Sequence, residues 1–185
     1  MSGHDQPPII IPLGSPPPVA GVVVSETKER FTIRQAAEKG LITSGEAVAL
    51  LEAQAACGFI IHGLSGDTMT VDEAIDSGLI MERRQEIIKR AEKAIFGFTY
   101  KCNVTGSEKT TGELGHAKSL MPQTHALRLM EAQYATGGII DFKVNCRRTL
   151  EQCVELGLIT PDVKLLLEEG KQAEFRFDVS CSCFY

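Results

Sequence analysis

The chain has 185 residues, 43% of them apolar and 23% charged, with a formal net charge of −5. That length holds one substantial core, and the apolar share is ordinary for a globular domain. The charge speaks against whole-surface binding of nucleic acid, and the longest apolar runs, such as Ala47 to Leu51, are too short to span a bilayer.

Six of the eight prolines fall between Met1 and Pro18, so residues 1–19 read as an extended, disordered tail outside the core. No two of them are three apart, so the P-x-x-P spacing of a proline-reading ligand is missing. The N-terminus lacks the basic, apolar and small-residue order of a secretory signal, and a cytoplasmic location is expected. The six cysteines (57, 102, 146, 153, 181 and 183) contain no C-x-x-C pair. They read as free thiols.

Beyond the tail the chain repeats itself. Gly40-Leu41-Ile42, Gly78-Leu79-Ile80 and Gly157-Leu158-Ile159 share one tripeptide, and Ser119-Leu120-Met121 is a worn copy between them. The intervals between their first residues are 38, 41 and 38. Leu50-Leu51-Glu52-Ala53-Gln54 recurs as Leu129-Met130-Glu131-Ala132-Gln133, at an offset of 79 that equals the first two intervals together. Two independent markers agree on one period of about forty residues, the mark of a repeat architecture.

Each period has the same local chemistry. Val22 to Val24 with Arg30-Phe31, Gly58 to Ile61 with Thr68-Met69, and Gly138 to Ile140 with Arg147-Arg148 read as hairpins around turn residues. Thr32-x-x-Gln35, Thr70-x-x-Glu73 and Thr149-x-x-Gln152 are capping boxes, each opening a short helix that ends at Gly40, Gly78 or Gly157. Thr43-x-x-Glu46 and Thr160-Pro161 open longer second helices. In the third copy Thr111 keeps the cap, but Leu114 and Ser119 replace the acceptor and the glycine. Phe175 to Val179 alternates like a strand and reads as part of a closing half-unit.

The expected fold is therefore α+β, with tandem units of hairpin, short helix and longer helix. The units are expected at about 20–57, 58–96, 97–136 and 137–171, followed by the half-unit at 172–185. Such units cannot bury their apolar faces singly, so they stack into one domain over residues 20–185.

The segments Leu50 to Ile61, Thr70 to Ile80 and Leu129 to Ile159 resemble the plectin repeats of the plakin family. The resemblance covers roughly residues 20 to 171. It implies a plakin repeat domain, with intermediate filaments of keratin, vimentin or desmin type as partners, at desmosomes and other cytoskeletal junctions. Family members usually follow the Ile-Ile pair with Asp-Pro. Here the second copy has His62-Gly63, and the fourth has Asp141-Phe142.

No residue pattern calls for a cofactor. The histidines (4, 62, 116 and 125) have no metal-ligand spacing, and no glycine-rich phosphate loop is present. The recurring Glu52, Gln54, Glu131 and Gln133 are read as structural, since every copy must make the same interface. His62 is read as a turn residue.

A basic helix from Glu82 to Ile95 carries the functional expectation. Residues 81 to 110 hold seven basic residues against four acidic, a local excess on an acidic chain. Stepping about 100° per residue places Ile87, Ile88, Ala91, Ala94 and Ile95 on one face, with Glu86–Arg90 as an i,i+4 pair. Arg83, Arg84, Lys89, Arg90 and Lys93 are the candidate filament-binding residues, since the resemblance implies an acidic rod held in a basic groove between repeats. Arg84 falls within the apolar stripe. The expected function is a non-enzymatic filament linker, without nucleic-acid binding or membrane insertion. A general protein-interaction scaffold is the alternative, and a thiol enzyme a third reading.

Overall fold

Thr32, Thr43, Thr70 and Thr149 each accept the amide N–H three residues on, while the Gln or Glu at that position reaches back to the threonine amide. These reciprocal caps satisfy donors that a helix start leaves open. The computed structural model describes residues 18–97, 99–101, 103, 105–110, 120–141, 144, 146–170 and 181–184. The proline-rich stretch to residue 17, Thr111, Leu114, Ser119 and Phe175 to Val179 lie outside the described residues.

The first unit runs β1 (Gly21–Val24), β2 (Arg30–Thr32), α1 (Ile33–Glu38) and α2 (Ser44–Ala56). The second has β3 (Ile60–Ile61), β4 (Thr68–Met69), α3 (Val71–Asp76) and α4 (Gln85–Glu92). The third has β5 (Thr99–Lys101), β6 (Glu108–Thr110), β7 (Leu120–Pro122) and α5 (Gln123–Ala135). The fourth has β8 (Ile139–Asp141), β9 (Cys146–Arg148), α6 (Leu150–Glu155) and α7 (Pro161–Gly170). A last strand, β10 (Cys181–Phe184), follows.

The short helices end alike. Gly40, Gly78 and Gly157 take φ of 71°, 77° and 70°, a left-handed conformation that side chains disfavour. The next leucine then donates its amide back into the helix, Leu41 to Ala36, Leu79 to Ala74 and Leu158 to Cys153, each at 2.9 Å. The acceptors Ala36, Ala74 and Cys153 are fully buried.

Equivalent positions also fill the core. Leu50, Ile88, Leu129 and Leu167 stand at one position of the four second helices, and are 1%, 0%, 1% and 1% exposed. The core is continuous from Val22 to Leu167, with α2 packed on α4 and α5, and α5 on α7.

Two local expectations change. The helix expected from Glu82 to Ile95 is divided: Glu82–Arg84 is a 3-10 turn, α4 follows, and Lys93–Phe96 is again 3-10. Met81 stands where Thr43 caps the first unit and makes no side-chain cap, so the first turn tightens instead. In the third unit Leu120–Pro122 is a strand paired in parallel with β5. Pro122 holds Met121 extended, so the chain enters α5 straight from this strand.

Candidate functional site

The five candidate cations sit on the 3-10 turn, on α4 and just after it. Arg83, Arg90 and Lys93 are exposed, and none has an ion-pair partner among the described residues. Arg83 stands on the 3-10 turn and Arg90 in the last turn of α4. Arg84 is half-buried, and its Nε is buried without a hydrogen-bond partner in the described structure. Arg84 stands at the end of the 3-10 turn, ahead of α4.

Lys89 is different. Its Nζ lies 2.8 Å from Asp72 Oδ1 at the start of α3, and this bond raises the ammonium pKa above its usual value. Glu92 reaches the same helix start, its Oε1 accepting the Val71 amide at 3.4 Å. Burial raises the Glu92 carboxyl pKa, and the nearby Asp72 adds to the effect. The expected Glu86–Arg90 pair is not formed; the ion pair of this helix runs from α4 to α3 instead.

Of the recurring polar residues, the two glutamines make the same bond in both copies, whereas the two glutamates differ. Gln54 Oε1 accepts the Ile61 amide at 2.9 Å, and Gln133 Oε1 accepts the Ile140 amide at 3.1 Å. Gln54 Nε2 donates to Val19 O at 2.6 Å, while Gln133 Nε2 donates to Ala56 O at 2.9 Å and Ala94 O at 3.3 Å. Each clamp ties a second helix to the next hairpin and to a neighbouring segment. Glu52 is buried between α2 and α5, with Oε1 2.9 Å from His125 Nε2 and Oε2 3.7 Å from Arg128 Nη2. Glu131 is half-buried, and desolvation raises its pKa.

His62 is a turn residue, its Nδ1 accepting the Ser65 amide at 3.2 Å. Gly63 beside it passes against the first unit, where a Cβ would stand 2.6 Å from Ala20 O. A glycine is needed at this close approach.

Sequence reasoning missed a cleft of about 320 Å³ between the first two units, lined by residues including Arg34, Glu38, His62, Leu64 and Leu79. Arg34 crosses it: Nε donates to Glu38 Oε1 at 2.8 Å, and Nη1 donates to the Gly78 carbonyl. Nothing local in the sequence marks this contact, because Gly78 is 44 residues away.

A second inter-unit knot gathers Cys57, Thr136 and Arg147. Cys57 Sγ is 3.2 Å from Thr136 Oγ1, and Arg147 Nη1 donates to Gln133 O, Thr136 Oγ1 and Gly138 O. Burial raises the Cys57 thiol pKa, and it pushes that of Cys153 up to about 11. Both are buried thiols, and no histidine hydrogen-bonds to either among the described residues.

Among the described residues, no helix is long and apolar enough to cross a membrane. The plectin repeat family model matches residues 50–83 and 129–167, beginning at the equivalent Leu50 and Leu129. Over 151 residues, 81% of the chain, it is 33% identical to microtubule-actin cross-linking factor 1 of Homo sapiens. It is 39% identical to epiplakin of Mus musculus over 80 residues, 43% of the chain. Identity to desmoplakin-B of Danio rerio is 39% over 62 residues, 34% of the chain. The chain spans only 1%, 2% and 3% of epiplakin, the cross-linking factor and desmoplakin-B respectively. The hairpin–helix–helix units, their shared caps and these matches place the chain in the plectin-repeat proteins of the plakin family.

Proposed function

We propose that the chain is a cytoskeletal linker module that binds intermediate filaments of keratin, vimentin or desmin type through a basic groove between repeats, to which the second unit supplies the cations. The observation that carries this reading is the set of exposed cations Arg83, Arg90 and Lys93, which lack ion-pair partners among the described residues. Filament rods are rich in Asp and Glu, and a planar guanidinium can pair bidentately with carboxylate. Arg84 adds a half-buried guanidinium to this set. Lys89 contributes less free charge, because Asp72 already pairs with it.

The domain in this reading is residues 20–185, with repeats at about 20–57, 58–96, 97–136 and 137–171 and a half-unit at 172–185. Residues 1–19 form a tail outside it. The working location is the cytoplasm, on the cytoskeleton and at cell junctions. A scaffold without filament binding is the second reading, favoured by the net charge of −5. Co-sedimentation with polymerised vimentin, keratin and desmin separates the two. Pelleting with a filament, weakened by added salt, supports the first; absence from all three pellets at low salt supports the second.

A further inference from the structure

β1 has a strand on each side, in the order β10-β1-β2. β2 follows it directly along the chain. β10 arrives from the opposite end, antiparallel and in register from Gly21↔Phe184 to Val24↔Cys181. By contrast, the hairpins β3–β4 and β8–β9 remain two-stranded.

The described core runs from Val22 to Leu167, and β10 joins the body through a ladder of four residue pairs on β1. Residues 171–180 link α7 to β10. A link of that length spans at most about 33–36 Å.

We propose that the outer edge of β1 is an interaction surface for an extended strand, and that β10 of a second copy is its partner in trans. A backbone ladder does not distinguish a strand of the same chain from an identical strand of another. Exchange replaces one set of hydrogen bonds by the same set, so chain concentration and the geometry of the link decide between the two arrangements. An open β1 edge would expose unpaired backbone groups, so a copy that releases its own β10 is bound to take another. Reciprocal exchange closes as a two-fold dimer carrying two repeat bodies. Only its consequence, two basic faces in one particle, rests on the filament reading; the exchange itself does not.

The test uses the full chain with Val24→Cys, which faces Cys181 in the register and is only half-buried. Equal amounts of ¹⁴N- and ¹⁵N-labelled protein are mixed, unfolded, refolded at high concentration and oxidised. Mass spectrometry then reads the peptides joined through positions 24 and 181. Full exchange predicts that about half of these pairs carry one light and one heavy partner. Pairs of like isotope only would overturn the proposal, and so would the absence of any disulfide between these positions, because the register itself would then be wrong.

Discussion

Gln54 and Gln133 stand 79 residues apart and make the same bond, each accepting the amide of an isoleucine seven residues downstream. Repetition of the sequence is here repetition of a clamp between a second helix and the next hairpin. Gln133 also donates to Ala56 and Ala94, so one side chain of the third unit joins segments of the other three.

Gln133→Leu should therefore cost about 2–4 kcal/mol, because it strands a buried amide and two buried carbonyls. Gln54→Leu should cost less, since its bonds are only partly buried. Urea unfolding of both variants measures the difference. A loss below about 1 kcal/mol for Gln133→Leu would show that the clamp does not hold the units together.

Leu50, Ile88, Leu129 and Leu167 fill one position in four helices, so truncating each to alanine should destabilise by a similar amount, about 2–5 kcal/mol. Thermal and denaturant melts give the values. Near-zero effects at Leu50 and Leu129 would separate the sequence repeat from the packing.

The repeat was legible because its signals are local. The caps at Thr32, Thr70 and Thr149 and the glycines that end the short helices act within a few residues of themselves, and the glutamine shows by its recurrence although Val19, Ala56 and Ala94 lie far from it along the chain. The contacts that join units were not legible. Arg34 finds Gly78 in the next unit, and Arg147 finds Gln133 and Thr136 in the unit before it, each partner fixed by stacking rather than by spacing. Of the candidate site, the exposure of Arg83, Arg90 and Lys93 could be read from helical periodicity, but the pairing of Lys89 could not. The broken start of α4 follows from Met81, which lacks the oxygen that Thr43 supplies in the first unit.

Glu92 gives a pH prediction. Its folded pKa lies above its usual value, so between the two the folded state holds more protons than the unfolded one. Stability then falls as pH rises through that window, and the carboxylate remains unfavourable above it. Glu92→Gln keeps an oxygen for the Val71 amide and removes the charge. The variant should match the parent near about pH 4 and gain on it towards about pH 7. A constant difference across that range would contradict the assignment.

Thiol reactivity follows burial. Cys146 is exposed, whereas Cys57 and Cys153 are buried with raised pKa values. Iodoacetamide near neutral pH should label Cys146 ahead of Cys57 and Cys153, which react only on unfolding. Peptide mass spectrometry reads each site. Fast labelling of Cys57 in the folded protein would mean that the Thr136–Arg147 knot opens readily.

On the proposed reading, the cations of the second unit hold an acidic filament. Exposed ion pairs contribute only about 0.2–1 kcal/mol each, so binding should be spread over several cations and weaken with salt. Arg83 and Arg90 are the residues to reverse, since both are exposed and neither holds another part of the fold through an ion pair among the described residues. The direct measurement is co-sedimentation of Arg83→Glu/Arg90→Glu with vimentin filaments at low salt, beside a thermal melt. Severalfold weaker pelleting with an almost unchanged melting midpoint is expected. A double variant that folds normally and pellets like the parent would contradict it.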